Sequence, residues 1–534
     1  MRLNNEGLKD RAAWEKAGVR LPAYDREEMI ENTLQEPTWI HFGAGNIFRG
    51  FVGGLQQRLL EAGLDPHGII AAETYDGEII DRIYRPFDSL TLMVSLKPDG
   101  TTDQDVIASL ATGLKAVPDC EEDWQKTKDI FACPTLQLCS FTITEKGYAL
   151  RDMKGELLPA AAKDMEAGPE APCHAMGIAT SLLLHRYQYS AAPLAMVSMD
   201  NCSRNGEKLR AAVLEIAQAW VEAGFAGEDF LDWLTDEKTV SFPWTMIDKI
   251  TPRPAETVLK MLNQAGLEDM DPVETAKHTF IAPFVNAEVP QYLVVEDRFP
   301  NGRPALEKAG VYMTDRETVN KTERMKVTTC LNPLHTAMSV TGCLLGYTSI
   351  ASEMKDPDLK RLVETVGYVE GLPVVTDPGI LRPEDFLKEV VEKRLPNPFM
   401  PDTPQRIACD TSQKIPIRFG ETIKSYLADP KLDVNSLRAI PLALAAWIRY
   451  LKGVDDTGNP MPVSPDPMLP VLTEALQDLR VGEPDSVGDN LKPILSNPAI
   501  FGVNLYEAGL GEKVEQLVSD MLIPGGVRKA LQAL

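Results

Sequence analysis

The feature that most constrains the fold is a short apolar segment that runs directly into a glycine turn. Thr38-Trp-Ile-His-Phe42 predicts a buried strand, Gly43-Ala-Gly45 ends it, and an apolar-periodic helix follows over about 47–62. A strand, a Gly-x-Gly turn and a helix form a unit in which the backbone approaches a pyrophosphate at a helix N-terminus. Phe48 stands where the usual fingerprint has its third glycine, and Gly-x-Gly also occurs in plain tight turns.

Buried strand segments continue to alternate with helices as far as about residue 223. The segments at 68–73, 135–140 and 194–198 are apolar and end in polar residues. This alternation predicts an α/β, Rossmann-like doubly wound sheet, mainly parallel, in which ligands bind beyond the carboxyl ends of the strands. Glu73 ends the second strand, where an acid accepts hydrogen bonds from the adenosine ribose and repels a 2′-phosphate. Asp76 competes for this role, and capping of the next helix is an equally good interpretation of Glu73.

The second half of the chain has a different pattern. A last strand-like stretch covers 291–296, and from about residue 316 the periodicity is helical almost to the end, with Pro- and Gly-rich breaks. A chain of 534 residues is also too long for one domain of usual size. We therefore expect a Rossmann-type domain with a polar lead-in over 1–285 and a mainly α-helical substrate domain over 286–534.

Composition excludes several classes of protein. The net charge is −24 and the basic residues are scattered, which argues against a nucleic-acid partner. No run of 18 apolar residues and no secretory signal is found, so we expect no membrane partner. The eight cysteines form no C-x-x-C pair and the six histidines form no H-E-x-x-H motif, which predicts free thiols and no metal site. We expect a cytoplasmic monomer or small homo-oligomer that binds a small molecule.

Three polar residues, Lys326, Asn332 and His335, lie within ten residues of an otherwise apolar run. Burying unpaired polar groups is costly, so these residues either pair with one another and the backbone or face a cleft with a polar ligand. A Lys whose pKa is lowered by desolvation can act as a general base, and an amide and an imidazole can donate to an oxygen. A Lys and a His at a helix start with an Asn cap explain the residues equally well.

Five separate strings, taken in order, resemble motifs of one family, the polyol-specific long-chain dehydrogenases, which include mannitol dehydrogenase, fructuronate reductase and tagaturonate reductase. The resemblance extends over 39–419. The strings are Gly43-Ala-Gly-Asn-Ile-Phe-Arg49, Thr142-Ile-Thr-Glu-Lys-Gly-Tyr148, Ser198-Met-Asp-Asn201, Phe242-Pro-Trp-Thr-Met-Ile-Asp-Lys-Ile-Thr-Pro252 and Glu296-Asp-Arg-Phe-Pro-Asn-Gly-Arg-Pro304. The resemblance implies a metal-independent enzyme that oxidises or reduces a secondary alcohol with a nicotinamide cofactor.

The resemblance also implies a role for each catalytic residue. Lys326 is the general acid/base, and Glu323 helps to move the proton. Asn201 and Asn332 polarise the reacting oxygen, while His335 orients the substrate.

The spacing of this set departs from the family pattern. Five residues separate Lys326 from Asn332, where the family usually has four, and a gapless match would put Val327 at the catalytic position. We expect a one-residue bulge, or a break before Pro333 with Asn332 as the N-cap of a restarted helix. A kink at Pro333 within one long helix is the alternative.

Binding residues follow from the same resemblance. The cofactor-binding set is Gly43, Gly45, Asn46, Ile47, Phe48, Arg49, Glu73, Ser140, Thr142 and Asn201. The substrate-binding set is Asp248, Lys326, Asn332, His335 and Arg406. Residues 68–81 contain no Arg or Lys for a 2′-phosphate, which predicts NAD rather than NADP. For Arg406, a salt bridge between the domains is an equally good interpretation.

The cations of the second half bear on the substrate. The number of these cationic side chains exceeds what a neutral polyol requires, which favours a substrate with a carboxylate. They are Arg324, Arg394, Arg406, Lys414 and Arg418. The predicted reaction is reduction of D-fructuronate to D-mannonate with NADH. Tagaturonate reductase activity is the second candidate, and mannitol 2-dehydrogenase activity is the third. From other classes, a metal-dependent polyol dehydrogenase or sugar-acid dehydratase and a non-catalytic nucleotide sensor stay open.

Overall fold

A computed structural model describes residues 1–152 and 154–534, which form two compact units, Met1–Asn320 and Lys321–Leu534. The sequence predicts the division after residue 285, whereas the first unit extends to residue 320. The reason is a three-stranded sheet in which Tyr292–Glu296 pairs with the earlier strand Thr245–Asp248 and with Tyr312–Thr314. These long-range pairings keep residues 286–314 in the first unit.

The centre of the first unit is a six-stranded sheet whose pairings are all parallel. From one edge, the strands are Leu110–Lys115, Ile69–Glu73, Trp39–Phe42, Leu138–Phe141, Leu194–Ser198 and Val240–Ser241. Numbered along the chain, this is the order 3-2-1-4-5-6, which reverses between Trp39–Phe42 and Leu138–Phe141. Ligands of doubly wound sheets bind at such a reversal. The predicted Rossmann-like sheet is confirmed.

The strands of this sheet are mostly apolar because both of its faces are covered, with His41, Ser140 and Glu73 as exceptions near the carboxyl edge. Ile40 and Phe42 belong to a cluster that includes side chains of the helices Ala175–Tyr189 and Asn205–Glu222. Trp39, one residue away, belongs to the opposite cluster, which includes side chains of the helix Gly53–Glu61. Alternation of side chains along a strand places neighbouring residues in these two different cores.

Smaller elements complete the first unit. A four-stranded sheet has the order Val19–Arg20, Thr102–Ile107, Thr91–Leu96 and Phe284–Glu288, and a two-stranded sheet pairs Val273–Glu274 with Phe280–Ile281. The other helical segments are Gly7–Lys9, Arg11–Lys16, Arg26–Gln35, Phe48–Val52, Ile80–Tyr84, Arg85–Phe87, Glu121–Ala132, Thr144–Tyr148, Pro159–Ala167, Glu228–Thr235, Glu256–Gln264 and Leu306–Ala309.

The second unit, whose residues 321–534 are all described, contains helices and no strand, as the sequence predicts. The first helix that enters it is Arg316–Met325. The others are Lys326–Cys330, Asn332–Leu344, Ile350–Glu353, Pro357–Glu364, Thr365–Gly371, Leu372–Val374, Pro383–Glu389, Val390–Arg394, Pro404–Ile407, Thr411–Ile415, Pro416–Gly420, Glu421–Ala428, Val434–Ser436, Ala439–Tyr450, Leu469–Ala475, Pro484–Ser486, Lys492–Leu495, Pro498–Phe501, Gly511–Met521 and Gly526–Gln532. Every residue of Ala439–Tyr450 is buried, which makes this helix the centre of the unit.

All eight cysteines are free thiols, which confirms the prediction. Among the described residues, no helix combines the length and the hydropathy needed to cross a membrane.

A carboxyl group without a partner lies inside the second unit. Glu353 is fully buried, and neither of its carboxyl oxygens has a hydrogen-bond partner among the described residues. Burial, with a smaller contribution from the charge of Asp402, raises the pKa of Glu353 to about 9. Gly342 makes room for this carboxyl, because a Cβ there would lie 1.4 Å from Oε1 of Glu353.

This buried acid predicts a specific pH dependence of stability. Because the pKa of Glu353 is raised from 4.5 in the folded chain, the unfolded chain loses the proton first as pH rises. The free energy of unfolding therefore falls between about pH 4.5 and 9, by up to about 1.4 kcal/mol per pH unit. Glu353→Gln removes this loss, so its Tm should rise above that of the wild type increasingly toward pH 9.

The control for this prediction is Glu364→Gln, which changes a half-buried glutamate of the same unit whose side chain is 44% exposed. Its Tm should follow the wild type at every pH. The buried amide of Glu353→Gln adds only an offset that is constant with pH. A difference in Tm between Glu353→Gln and the wild type that does not change from pH 5 to 9 would contradict the prediction.

Candidate active site

The glycine turn at the end of the strand Trp39–Phe42 has the two properties that a pyrophosphate requires. Gly43 has a φ of +105°, and a Cβ there would lie 2.2 Å from the carbonyl oxygen of Thr142. At Gly45 a Cβ would meet no atom within 4 Å, so the space beside its backbone is open. The first glycine permits the turn and the second leaves room for a ligand close to the backbone.

A buried cation lies in the first turn of the helical segment that follows. Arg49 is 1% exposed, and its Nη2 donates to Oδ1 of Asn46 at 2.8 Å. Its Nε and Nη1 have no partner among the described residues, and burial lowers its pKa to about 10. Arg49 is therefore charged at neutral pH and adds to the positive potential that a helix N-terminus presents to an anion.

A histidine that the sequence analysis missed organises the polar side chains at this edge. His41 is fully buried, stacks on Phe48 at 3.9 Å, and has a pKa lowered well below its ordinary value by burial. Its Nδ1 is 2.6 Å from Oγ of Ser140, and its Nε2 is 2.8 Å from Oγ1 of Thr142. Trp39 donates to Ser140 Oγ as well, at 2.7 Å.

These contacts show what the side chain of Ser140 does in the fold. Ser140 is fully buried and its hydroxyl contacts His41 and Trp39, while its part in cofactor binding stays a prediction. Thr142 is half-buried and stays a predicted cofactor-binding residue. A histidine inside an otherwise apolar strand is the sequence signal that could have indicated this network.

Glu73 joins the second strand to the glycine turn. It is 6% exposed, its Oε2 accepts from the N–H of Ala44 at 2.9 Å, and its Oε1 accepts from the N–H groups of Tyr75 and Asp76 at 2.8 and 3.1 Å. Both interpretations of Glu73 are thus met in part, since it caps the loop and also places a carboxylate at the strand end. Asp76 instead accepts from Oγ1 of Thr275 at 2.6 Å.

Two of the family strings meet behind Asn201. The carboxylate of Asp200 accepts from the N–H groups of Ile143 and Thr144, both at 2.9 Å, and from the hydroxyl of Tyr148 at 2.6 Å. Burial raises the pKa of Asp200. Asn201 follows this anchored residue and is exposed. The two motifs therefore hold Asn201 at the carboxyl end of the fifth strand.

Asp248 ends the strand Thr245–Asp248 and is buried. The next residue, Lys249, is buried too, and its Nζ donates to the carbonyl oxygen of Glu288. The side chain of Glu288 accepts from the N–H of Ile250 at 3.0 Å. Lys249 and Glu288 were not predicted from the sequence, although ionisable residues at the ends of apolar strands were the available signal.

The extra residue before Asn332 is held in a π-turn. The segment Lys326–Cys330 is π-helical, and the N–H of Leu331 donates to the carbonyl oxygen of Lys326 at 3.1 Å. A π-turn contains one residue more than an α-turn, so it absorbs a single insertion. The expected one-residue bulge and the expected break before Pro333 both occur, because Leu331 has a φ of −133° and a ψ of −61° and a helix restarts after it. The following helix begins at Asn332 itself, and Leu331 rather than Asn332 occupies the N-cap position.

The second unit holds four of the five predicted catalytic residues along this one stretch of helix, and the fifth, Asn201, lies in the first unit. Lys326 is 3% exposed, whereas Glu323, Asn332 and His335 are half-buried. Burial lowers the pKa of His335 to about 4; Asp402 opposes this shift, and three guanidinium groups add to it. His335 is therefore neutral at physiological pH. The guanidinium groups belong to Arg394, Arg406 and Arg418.

Arg406 forms a bidentate ion pair with Asp402. Its Nε and Nη2 each lie 2.7 Å from one of the two carboxylate oxygens. Asp402 precedes it by four residues, so the pair lies within the second unit and does not match the salt bridge between domains that was one interpretation. The role of Arg406 in substrate binding stays a prediction. The charge of its guanidinium group is already compensated by Asp402.

The π-turn leads to a prediction about deletions. Deleting the half-buried Thr328 should convert the π-turn to an α-turn and leave the flanking helices in register, with Tm within a few degrees and turnover within about tenfold. Deleting the exposed Lys360 from the regular helix Pro357–Glu364 should rotate the buried Leu362 and Val363 out of the core and prevent folding. Thermal unfolding of both variants tests this, and equal damage by both deletions would show that the π-turn is not a separable insertion.

Among the residues that the structure describes, no group of three or more His, Cys, Asp or Glu side chains has an arrangement suited to a metal ion.

Comparison with known proteins identifies two domains. The mannitol dehydrogenase Rossmann domain matches residues 37–308, and the mannitol dehydrogenase C-terminal domain matches residues 318–522. The chain belongs to the mannitol dehydrogenase family. This confirms the predicted family, fold class and enzyme class.

Individual relatives agree with the family assignment. The chain is 55% identical over 535 aligned residues to D-mannonate oxidoreductase of Thermotoga maritima, with 100% of this chain and 98% of the relative covered. A substrate-free D-sorbitol dehydrogenase is similar with a TM-score of 0.80 and 26% identity, over 96% of this chain and 98% of the other. Pseudomonas fluorescens mannitol 2-dehydrogenase, solved with NAD and D-mannitol, is similar with a TM-score of 0.72 and 26% identity, over 100% and 99%.

Proposed function

We propose that this mannitol dehydrogenase family member interconverts D-fructuronate and D-mannonate with NAD(H). One observation carries the proposal. A buried lysine begins a π-turn that leads into half-buried Asn332 and His335, in a chain that matches a D-mannonate oxidoreductase over its full length. Membership of a dehydrogenase family favours this function over a dehydratase or a nucleotide sensor.

The first unit fits the dinucleotide. The open space beside the backbone of Gly45 leaves room for a pyrophosphate. Asn46 and Ile47 are the first residues of the helix that follows the glycine turn, so its N-terminus lies at the same place. The charge of Arg49 favours an anion in the same place, and the carboxylate of Glu73 disfavours the 2′-phosphate of NADP. When bound, the nicotinamide ring supplies the group that accepts or donates the hydride.

The chain's own residues handle the proton and the oxygen. In the direction of oxidation, Lys326 removes the hydroxyl proton of the secondary alcohol, and in reduction its ammonium protonates the forming alkoxide. The amides of Asn201 and Asn332 donate to the same oxygen without adding a charge that titrates. Neutral His335 orients the substrate by hydrogen bonding, Asp248 binds a substrate hydroxyl, and Glu323 passes the proton between Lys326 and solvent.

A panel of substrates tests the proposed function. We expect kcat/KM to be highest for D-fructuronate, followed by D-tagaturonate and then D-fructose, with NADH preferred to NADPH by at least about tenfold. Initial rates at one ionic strength, with each cofactor and each keto sugar, give the comparison. A higher value for D-fructose than for both uronates would contradict the substrate, and a preference for NADPH would contradict the role of Glu73.

Substitution of the proposed acid/base tests the mechanism. Lys326→Ala should lower turnover by roughly a thousandfold, because the proton then has no positioned acceptor, while the Kd of NADH changes little. The matched control is Val327→Ala, next along the same π-turn, which should keep near-normal turnover. Loss of turnover in Val327→Ala together with its retention in Lys326→Ala would show that the register across the π-turn has been assigned incorrectly.

A further inference from the structure

One cation of the second unit differs from the others in its partners. Arg418 is half-buried, and its Nη1 donates to Oγ1 of Thr336 at 2.6 Å and to the carbonyl oxygen of Asn332 at 3.4 Å. No carboxylate pairs with it among the described residues, and its Nε and Nη2 make no hydrogen bond there. Burial lowers the pKa of Arg418 to about 10, so the group is charged at neutral pH.

The other cations that the sequence singles out are already engaged. Arg406 has its bidentate pair with Asp402, and Arg324 lies 3.1 Å from a carboxylate oxygen of Glu421. Lys414 donates to the carbonyl oxygens of Ile407, at 2.9 Å, and Cys409. Arg394 is buried and has an interaction partner. Neither Arg418 nor Lys414 has a carboxylate partner among the described residues, but Lys414 is held by two carbonyl oxygens, whereas Arg418 keeps Nε and Nη2 without an acceptor.

The position of Arg418 connects it to the proposed catalytic residues. Its two hydrogen-bond acceptors, Asn332 and Thr336, lie in the first turns of the helix Asn332–Leu344, which also carries His335. The charge of Arg418 contributes to the lowered pKa of His335, which places the two groups near each other.

An uncompensated, partly desolvated guanidinium is unfavourable unless an anion pairs with it. Nε and one Nη of an arginine form a planar fork that matches the two oxygens of a carboxylate. We propose that Arg418 binds the carboxylate of the sugar-acid substrate and so determines the preference for keto-sugar acids over neutral keto sugars. Nη1 fixes the fork on Thr336, and Nε and Nη2 bind the ligand. This inference rests on the proposed function, and it names the group that recognises the far end of the substrate.

Paired substrates test this role. Arg418→Gln should lower kcat/KM for D-fructuronate by roughly a hundredfold or more, because a charged hydrogen-bonded pair is lost, and should change kcat/KM for D-fructose by less than about threefold. Arg418→Lys should recover part of the uronate activity. For binding alone, the Kd of D-mannonate should rise in Arg418→Gln while the Kd of D-mannitol, its neutral counterpart, stays unchanged, both measured by calorimetry with saturating NAD.

Two further variants serve as controls. Arg324→Gln removes an exposed arginine of the same unit and should leave both substrates unaffected. Thr336→Val removes the acceptor that orients the guanidinium. The fall in kcat/KM that it causes should be smaller than the fall in Arg418→Gln and should affect only the uronate. Tm and the Kd of NADH establish that each variant is folded. If Arg418→Gln does not fold, Arg418→Lys and Thr336→Val carry the same comparison.

The outcomes separate this inference from the proposed function. Equal losses for uronate and fructose in Arg418→Gln, at an unchanged Tm, would overturn the role of Arg418 while the wild-type preference for uronate supported the proposed function. A wild-type enzyme that reduces fructose better than either uronate would overturn the proposed function itself. A selective loss for the uronate supports both.

Discussion

The close approach of two backbone segments at the carboxyl edge of the six-stranded sheet is the constraint on which the rest of the first unit depends. Gly43 leaves its strand with a φ of +105° and passes so near the carbonyl of Thr142 that no side chain fits between them. Because these segments flank the reversal in strand order, the edge that they form also receives Glu73, which ends the second strand, and Asn201, which follows the fifth. Small residues at one turn thus determine where charged and polar groups collect.

The sheet was predictable because strands that are covered on both faces remain mostly apolar along their length, and the alternation with helices allows few topologies. The boundary between the units was not, because it depends on the pairing of Tyr292–Glu296 with a strand more than 40 residues earlier. The hydrogen bonds of His41 with Ser140 and Thr142 join residues about 100 positions apart, and sequence pattern carries no information at that separation.

The candidate site was also predictable from the sequence only in part. A count of residues between Lys326 and Asn332 was enough to predict a bulge or a break, because helical geometry tolerates an insertion in few ways, but the count did not show that a π-turn and a break follow one another. The sequence alone also does not distinguish among the five cations that are candidates to bind a carboxylate. Which of them has a carboxylate partner depends on side-chain geometry in the folded unit, as the bidentate pair of Arg406 and the unpaired fork of Arg418 show.

The π-turn at Lys326 affects how this protein can be recombined with its relatives. The π-turn and the break at Leu331 together accommodate one additional residue between the two flanking helices, and the orientation of these helices depends on both features being present. Chimeric enzymes that take the whole stretch from Arg316–Met325 to Asn332–Leu344 from one parent keep that orientation. A crossover inside Lys326–Cys330 would join a long half to a short half, and the partner helices would face each other with a mismatch of about 100°. Junctions for domain shuffling in this family therefore belong outside the turn, even where the parental sequences agree best within it.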